Sequence, residues 1–156
     1  MHYNIQQEQR VWERVGGVQP REDSTEGSLN AESVLNKASR ELEQAALYQY
    51  LACRVPAACG RILGEIGQEK LCHARELRSI YFVLTGRKAC PPKAQEPCVT
   101  CISETLRRQY RQELADAEEN RALAQRGTEF SCTFEKMAQD NLCNAEKLLR
   151  IIGCVL

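Results

Sequence analysis

Glu69 and His73 are the residues whose types first suggest a metal site in this chain. They lie in the segment QEKLCHARELRSIY, residues 68 to 81, and carboxylate and imidazole side chains are common metal ligands. Their spacing is four residues, whereas the Glu-x-x-His motif places its two ligands three apart. The position three before the histidine holds Lys70. The segment therefore raises the question of whether His73 binds a metal or belongs to a site that has lost one.

Four helices, each of about 20 to 28 residues, are expected to position these side chains. Their starts are marked by side chains that can accept hydrogen bonds from a first turn, and their ends by glycine or proline. The predicted limits are Asn30 and Pro56 for the first helix, Thr85-Gly86 for the end of the second, Ser103 and Gly127 for the third, and Ser131 and Gly153 for the fourth.

A proline-rich segment divides the chain in two. RKACPPKAQEPCVTC cannot continue a helix and is predicted to be an extended crossover, residues 87 to 102. The bundle is expected over residues 29 to 156, with one hairpin at 29 to 86 and another at 103 to 156. Residues 1 to 28 carry little pattern and are predicted to form an N-terminal arm, anchored by Val11 and Trp12.

The two halves of the chain resemble each other. RELEQAALYQYLA (40–52) aligns with QELADAEENRALA (112–124) at an offset of 72, and QEKLCHARELR (68–78) aligns with QDNLCNAEKLL (139–149) at an offset of 71. Two copies of a helical hairpin, joined by a long crossover, predict a four-helix bundle with pseudo-twofold symmetry.

The apolar stripe of each predicted helix also carries polar residues. Because residues three and four apart share one helix face, these side chains are expected to point toward the bundle axis. They are Glu41 and Tyr48 on the first helix, Lys70 and His73 on the second, Tyr110, Glu113 and Asn120 on the third, and Asn141 and Asn144 on the fourth.

This pattern resembles the ferritin-like family of di-iron carboxylate proteins, and rubrerythrin in particular. Those bundles carry an inward Glu on the first and third helices and Glu-x-x-His on the second and fourth. ELEQAALY is similar to their first helix, in which a Tyr lies seven residues beyond the ligand Glu. The resemblance covers residues 31 to 152 and implies an all-α, ferritin-like fold, an iron cofactor and oxidoreductase chemistry on dioxygen or peroxide.

Carried over residue by residue, the resemblance implies metal ligands and shows where they are missing. It assigns ligand roles to Glu41, His73 and Glu113, and a place near the metal, as a candidate catalytic residue, to Tyr48. The other three ligand positions are occupied by Lys70, Asn141 and Asn144. Since carboxylates and imidazoles balance the charge of bound metal ions, a lysine among them opposes binding. The metal site is expected to be degenerate or lost.

Three arrangements of this core remain open. In the first, Lys70 pairs with Glu41 and Glu113, its ammonium stands in for a metal ion, and the bundle is a metal-free structural or interaction protein. In the second, Glu41, His73 and Glu113 hold one metal ion. In the third, two iron ions bind despite the substitutions and support an oxidoreductase. A buried lysine is tolerated only with carboxylate partners, since an unpaired buried charge is strongly destabilising.

A shifted register is a further alternative for the core. Glu69 with Cys72, and Asp140 with Cys143, would give each half a carboxylate and a thiol, a ligand set that favours zinc or iron–sulfur chemistry. These positions lie about 100° around each helix from the apolar stripe.

The nine cysteines suggest other chemistry. Most lie within helical patterns and are predicted to be buried reduced thiols that pack like small apolar side chains. Cys98 and Cys101 form a CxxC in the crossover that could be redox-active or bind zinc with a partner chain, although a second CxxC is missing. Cys53 and Cys59 flank the first turn, close enough for a disulfide or for simple packing.

The overall composition excludes several classes of function. Basic and acidic residues number 21 each, so the net charge favours neither nucleic acid nor an anionic membrane. The longest apolar runs fall far short of the roughly 20 residues that a membrane span needs, and no apolar signal region is recognised at the N-terminus. We expect a cytoplasmic protein, and the family resemblance implies a homodimer.

Overall fold

The computed structural model describes residues 29 to 155, so the predicted N-terminal arm with Val11 and Trp12 lies outside the described residues. The described range contains four helices and no strand: α1 (Ala31–Ala52), α2 (Ala57–Thr85), α3 (Ile102–Ala124) and α4 (Ser131–Val155). The all-α class and the number of helices predicted from the sequence are confirmed. None of these helices is both long and apolar enough to span a bilayer.

The helix limits agree with the sequence in the first half. The Asn30 side chain accepts hydrogen bonds from the backbone amides of Glu32 and Ser33, at 2.9 and 3.2 Å, which satisfies two amides of the first turn. Gly86 has a φ of 66° and terminates α2 in the left-handed conformation that glycine adopts without strain.

Three predicted limits in the second half are wrong. Helix α3 begins one residue before Ser103, after Cys101, whose carbonyl oxygen accepts the Thr105 hydroxyl at 2.8 Å and the first helical amides. Ser131 is the first helical residue of α4 rather than its cap, and the helix passes through Gly153 to Val155. A single glycine costs a helix only about 1 kcal/mol, so it need not end one.

Two apolar clusters fix the directions of the helices. The first end of the bundle contains Leu29, Val34, Ala38, Leu77, Ile80, Phe134 and Met137. The second end contains Tyr48, Leu51, Cys59, Leu63, Ile66, Leu106, Leu148 and Ile151. Helices α1 and α4 therefore run from the first end to the second, and α2 and α3 run back. The connecting segment, residues 86 to 101, joins the end of α2 to the start of α3 and must span the length of the bundle.

Burial follows the repeat that was seen in the sequence. Each of the eight buried residues of α4 lies 71 positions after a buried residue of α2. Glu41 and Glu113, which are 72 apart, are both buried, as are Tyr48 and Asn120. The two helix pairs, α1 with α2 and α3 with α4, therefore bury equivalent positions.

The cysteines are placed differently from the prediction. All nine are free thiols, eight are exposed, and Cys59 is the buried one. The prediction of mostly buried thiols is wrong because residues such as Cys72 and Cys143 lie one position off the inward stripe, next to His73 and Asn144. One residue is about 100° of rotation on a helix, which is enough to turn a side chain from the core to solvent. Cys53 and Cys59 form no disulfide.

Candidate functional site: a buried ion-pair network

Lys70 lies at the centre of the bundle with its side chain fully buried. Its Nζ is 2.9 Å from Glu113 Oε2, 3.5 Å from Glu41 Oε2 and 3.7 Å from Asp116 Oδ2. Burial alone would lower the lysine pKa, but the three carboxylates outweigh it and raise the pKa above its ordinary value. The ammonium is therefore charged and neutralises carboxylates from both helix pairs.

Glu113 is the residue with the most complete set of partners. Besides the ion pair with Lys70, its Oε1 accepts the Tyr48 hydroxyl at 2.7 Å and its Oε2 accepts Asn141 Nδ2 at 2.7 Å. Asn120 Nδ2 donates in turn to Asn141 Oδ1 at 2.8 Å. Donors on all four helices are thereby tied to one carboxylate or to the amide bound to it.

Tyr48 is held in its protonated form by this arrangement. Burial raises the pKa of its phenol, and the nearby negative charge and hydrogen bond of Glu113 raise it further, well above the usual value. The phenol therefore acts as a hydrogen-bond donor to Glu113.

His73 bridges the two helix pairs. Its Nε2 lies 3.0 Å from Asp140 Oδ2 on α4, and its Nδ1 lies 3.4 Å from Glu41 Oε2 on α1. Burial would lower the pKa of the imidazole, but the Glu41 carboxylate, and after it Asp140, raise it above the ordinary value. An imidazolium between two carboxylates results, with both ring nitrogens protonated.

Glu41 completes the charged core. Burial favours its neutral form, but Lys70, followed by His73, lowers the pKa of the carboxyl to about 2. A carboxylate at this position is stabilised by two cations from α2, so its negative charge is already balanced within the protein.

Asp116 belongs to the network but is missed by the sequence reasoning. It is buried, and its two oxygens accept hydrogen bonds from Gln44 and Gln112, both at 2.9 Å. Gln44 and Asp116 are repeat equivalents, 72 positions apart, and contact each other across the bundle. The missed signal is Asp116 beside the stripe residue Ala117, at the position matching Gln44.

Most inward polar residues are placed as predicted. Tyr110 is the exception, because it is only partly buried. Residues of the shifted register point outward instead: Cys72 and Cys143 are exposed, and Glu69 forms a partly exposed ion pair with Lys147 at 3.5 Å. Asp140 turns toward His73 rather than toward Cys143.

The residues at the implied ligand positions do not fit a metal. The lysine ammonium contacts both carboxylates that would bind the ion, Glu41 and Glu113, and a cation there repels a metal. Asn141 spends its amide on Glu113, and Asn144 supplies an amide in place of an imidazole. Within residues 29 to 155, no group of three or more His, Cys, Asp or Glu side chains is arranged to hold a metal ion.

The charged partners are distributed unequally between the helix pairs. Lys37, Lys70 and His73 of the first pair contact Glu119, Glu113 and Asp140 of the second, respectively. Arg40 adds a contact of 2.7 Å to Glu119 at the edge of the bundle. The repeat is therefore symmetric in burial but asymmetric in charge, and the opposite charges join α1 and α2 to α3 and α4.

The CxxC pair lies at the other end of the connecting segment. Cys98 and Cys101 are both exposed, and Cys101 Sγ lies 3.4 Å from the Ser103 hydroxyl. The hydrogen bond from Ser103, followed by the backbone amide of Glu104, lowers the pKa of the Cys101 thiol.

The comparisons with known proteins leave this geometry to stand by itself. The chain matches no protein-family model, no curated protein and no solved structure.

Proposed function

We propose that this chain is a ferritin-like bundle, related to rubrerythrin-type di-iron oxidoreductases, whose metal centre has been replaced by ion pairs. It acts as a metal-free structural or interaction protein. The observation that carries the proposal is the buried ammonium of Lys70 in contact with Glu41 and Glu113. These are the two carboxylates that the family resemblance assigns to the metal.

Charge balance supports this reading of Lys70. In a di-iron bundle the inward carboxylates are neutralised by the metal ions, and without metal they would be buried and unpaired. Here one lysine and one protonated histidine occupy that role, and both come from α2. The core is thereby complete without a metal.

The hairpin architecture supports the resemblance. Helices α1 and α4 run parallel, α2 and α3 run back, and the connecting segment passes from one end of the bundle to the other. One long crossover between two antiparallel pairs is the connectivity of ferritin-like folds.

Metal analysis of protein purified without a metal-affinity tag tests the proposal. The expected result is far less than one iron, manganese or zinc ion per chain, both as isolated and after incubation with Fe(II) under anaerobic conditions. One or two tightly bound ions per chain would overturn it and return the bundle to the oxidoreductase class.

A second candidate function is thiol chemistry at Cys98 and Cys101. It is favoured by one observation, the hydrogen bond that lowers the pKa of the Cys101 thiol, because the thiolate is the reactive form. Zinc binding at this pair would need ligands from another chain, since a structural zinc takes four. Loss of zinc after thiol alkylation would identify that case.

A further inference from the structure

The connecting segment covers the outer groove between α1 and α2. We call this the first groove, and its helical lining consists of Leu42, Ala45, Ala46, Gln49, Leu71 and Arg78. The stretch from Lys88 to Ala94 forms its other wall, and Ala89 is only 3% exposed. The apolar residues on the outside of the first helix pair are thus shielded by the chain itself.

The second helix pair has an equivalent groove between α3 and α4. The repeat offsets of 72 and 71 map the helical lining of the first groove onto Leu114, Ala117, Glu118, Arg121, Leu142 and Leu149. We call these residues the second groove. Leu114 is 36% exposed and Leu149 is 56% exposed, whereas their equivalents Leu42 and Arg78 are half-buried.

The repeat also indicates which segment corresponds to the connecting segment. That segment immediately precedes α3, as residues 14 to 29 immediately precede α1, and the offset of 72 maps residues 86 to 101 onto 14 to 29. Pro20 then corresponds to Pro92. Residues 14 to 28 are therefore the repeat equivalent of the chain that covers the first groove.

The anchoring of Leu29 places the start of this segment at the correct end. Leu29 is 7% exposed and lies in the apolar cluster at the first end, against which Leu123 of α3 and Phe130 before α4 also pack. Residue 28 therefore leaves the bundle where α3 ends and α4 begins, at the mouth of the second groove.

We propose that residues 14 to 28 lie along the second groove, as the connecting segment lies along the first. Fifteen extended residues reach about 50 Å, which exceeds the roughly 35 Å length of α3. Val15 and Val18 supply apolar side chains for Leu114 and Leu149. Glu22, Asp23 and Glu26 lie near the anchored end, where α3 presents Arg121 to the groove and Arg126 follows the helix.

Trypsin provides a direct test on the full chain, because Arg21 is a cleavage site in the centre of the proposed segment. We expect slow cleavage after Arg21 in the wild-type protein and about tenfold faster cleavage in Leu149→Arg, since proteolysis follows the population of the undocked state. Val83→Arg is the matched control, because Val83 is a 62% exposed apolar residue outside the groove and its cleavage rate should equal that of wild type.

A fluorescent reporter gives a second reading. In a Trp12→Phe, Val18→Trp background, residue 18 carries the one tryptophan of the chain. We expect a blue-shifted emission and slow acrylamide quenching, both lost on adding Leu149→Arg but not Val83→Arg. Far-UV circular dichroism and thermal unfolding confirm that the variants fold.

Two outcomes would overturn the proposal. One is cleavage at Arg21 and quenching at residue 18 that are already fast in the unsubstituted groove and insensitive to Leu149→Arg. The other is shielding that disappears on dilution together with dissociation of a dimer, which would assign the groove to a second copy of the chain.

Discussion

Lys70 on α2 and Glu113 on α3 form a fully buried ion pair, with 2.9 Å between Nζ and Oε2. The two residues belong to different helix pairs, and 43 positions separate them in the sequence. Their contact places a cation on a carboxylate that a di-iron bundle would use for metal. Stability of this bundle and absence of metal are therefore two consequences of the same contact.

Lys70→Met should destabilise the protein strongly. The substitution leaves Glu113 and Glu41 buried with fewer cations, and breaking a buried pair from one side typically costs about 3 to 5 kcal/mol in the free energy of unfolding. Urea unfolding measures the change. Lys147→Met, which removes a partly exposed pair with Glu69, is the matched control and should cost less than about 1 kcal/mol.

The same experiment with Glu113→Gln added separates charge from packing. If the cost of Lys70→Met arises from the carboxylate left behind, the double variant should lose less than the sum of the two single losses, with a coupling of about 1 to 3 kcal/mol. Additive losses would show that the pair contributes packing alone.

The stability of the protein should fall in acid in a way that depends on Glu41. Its folded pKa of about 2 lies below its ordinary value of 4.5, so its contribution is fully present above pH 4.5 and is lost as the pH falls toward 2. Linkage gives this contribution a size of about 3 kcal/mol. Unfolding measured between pH 6 and 2.5 should show a shallower decline in Glu41→Gln than in wild type, and equal slopes would contradict the assignment.

Tyr48→Phe should cost about 1 to 3 kcal/mol, because Glu113 Oε1 would lose its hydrogen-bond donor inside the core. Thermal or urea unfolding measures the loss. Tyr110→Phe is a suitable comparison, since Tyr110 is a half-buried tyrosine of α3 whose phenol lies outside the network. A loss for Tyr110→Phe as large as that for Tyr48→Phe would contradict the special role of the Glu113 contact.

Cys101 should be alkylated faster than Cys98 by iodoacetamide at neutral pH. Its thiol pKa is lowered by the Ser103 hydroxyl, and the thiolate is the nucleophile. Mass spectrometry of tryptic and secondary digests resolves the two sites with time. Ser103→Ala should slow the reaction of Cys101 and leave that of Cys98 unchanged, and a rate of Cys101 unaffected by Ser103→Ala would remove the basis for thiol chemistry here.

The helical periodicity of the sequence was sufficient to predict the fold class and nearly all of the inward polar residues. The apolar stripe of α2 includes Lys70 and His73 because residues three and four apart share a face, and both are buried. The pairing partners were harder to predict. Asp140 reaches His73 from the edge of α4, and Asp116 lies beside its stripe, so a contact between helices brings each into the network.

The cysteines show the opposite limit. Their helical context and apolar character predicted burial, but position on the helix decides exposure, and one residue of offset from His73 or Asn144 is enough to place Cys72 or Cys143 in solvent. The start of α3 was missed for a related reason. A backbone carbonyl, that of Cys101, receives the first helical hydrogen bonds, and carbonyl positions leave no mark in a sequence.

Restoring the three missing ligands tests the central claim most directly. Fe(II) or Zn(II) is titrated by calorimetry into the wild-type protein and into Lys70→Glu/Asn141→Glu/Asn144→His, whose core then carries the four carboxylates and two imidazoles of the family pattern. We expect no binding to the wild type and stoichiometric binding to the folded variant. Stoichiometric metal binding by the wild type, lost in Glu41→Gln and Glu113→Gln, would contradict the claim that Lys70 has taken the place of the metal.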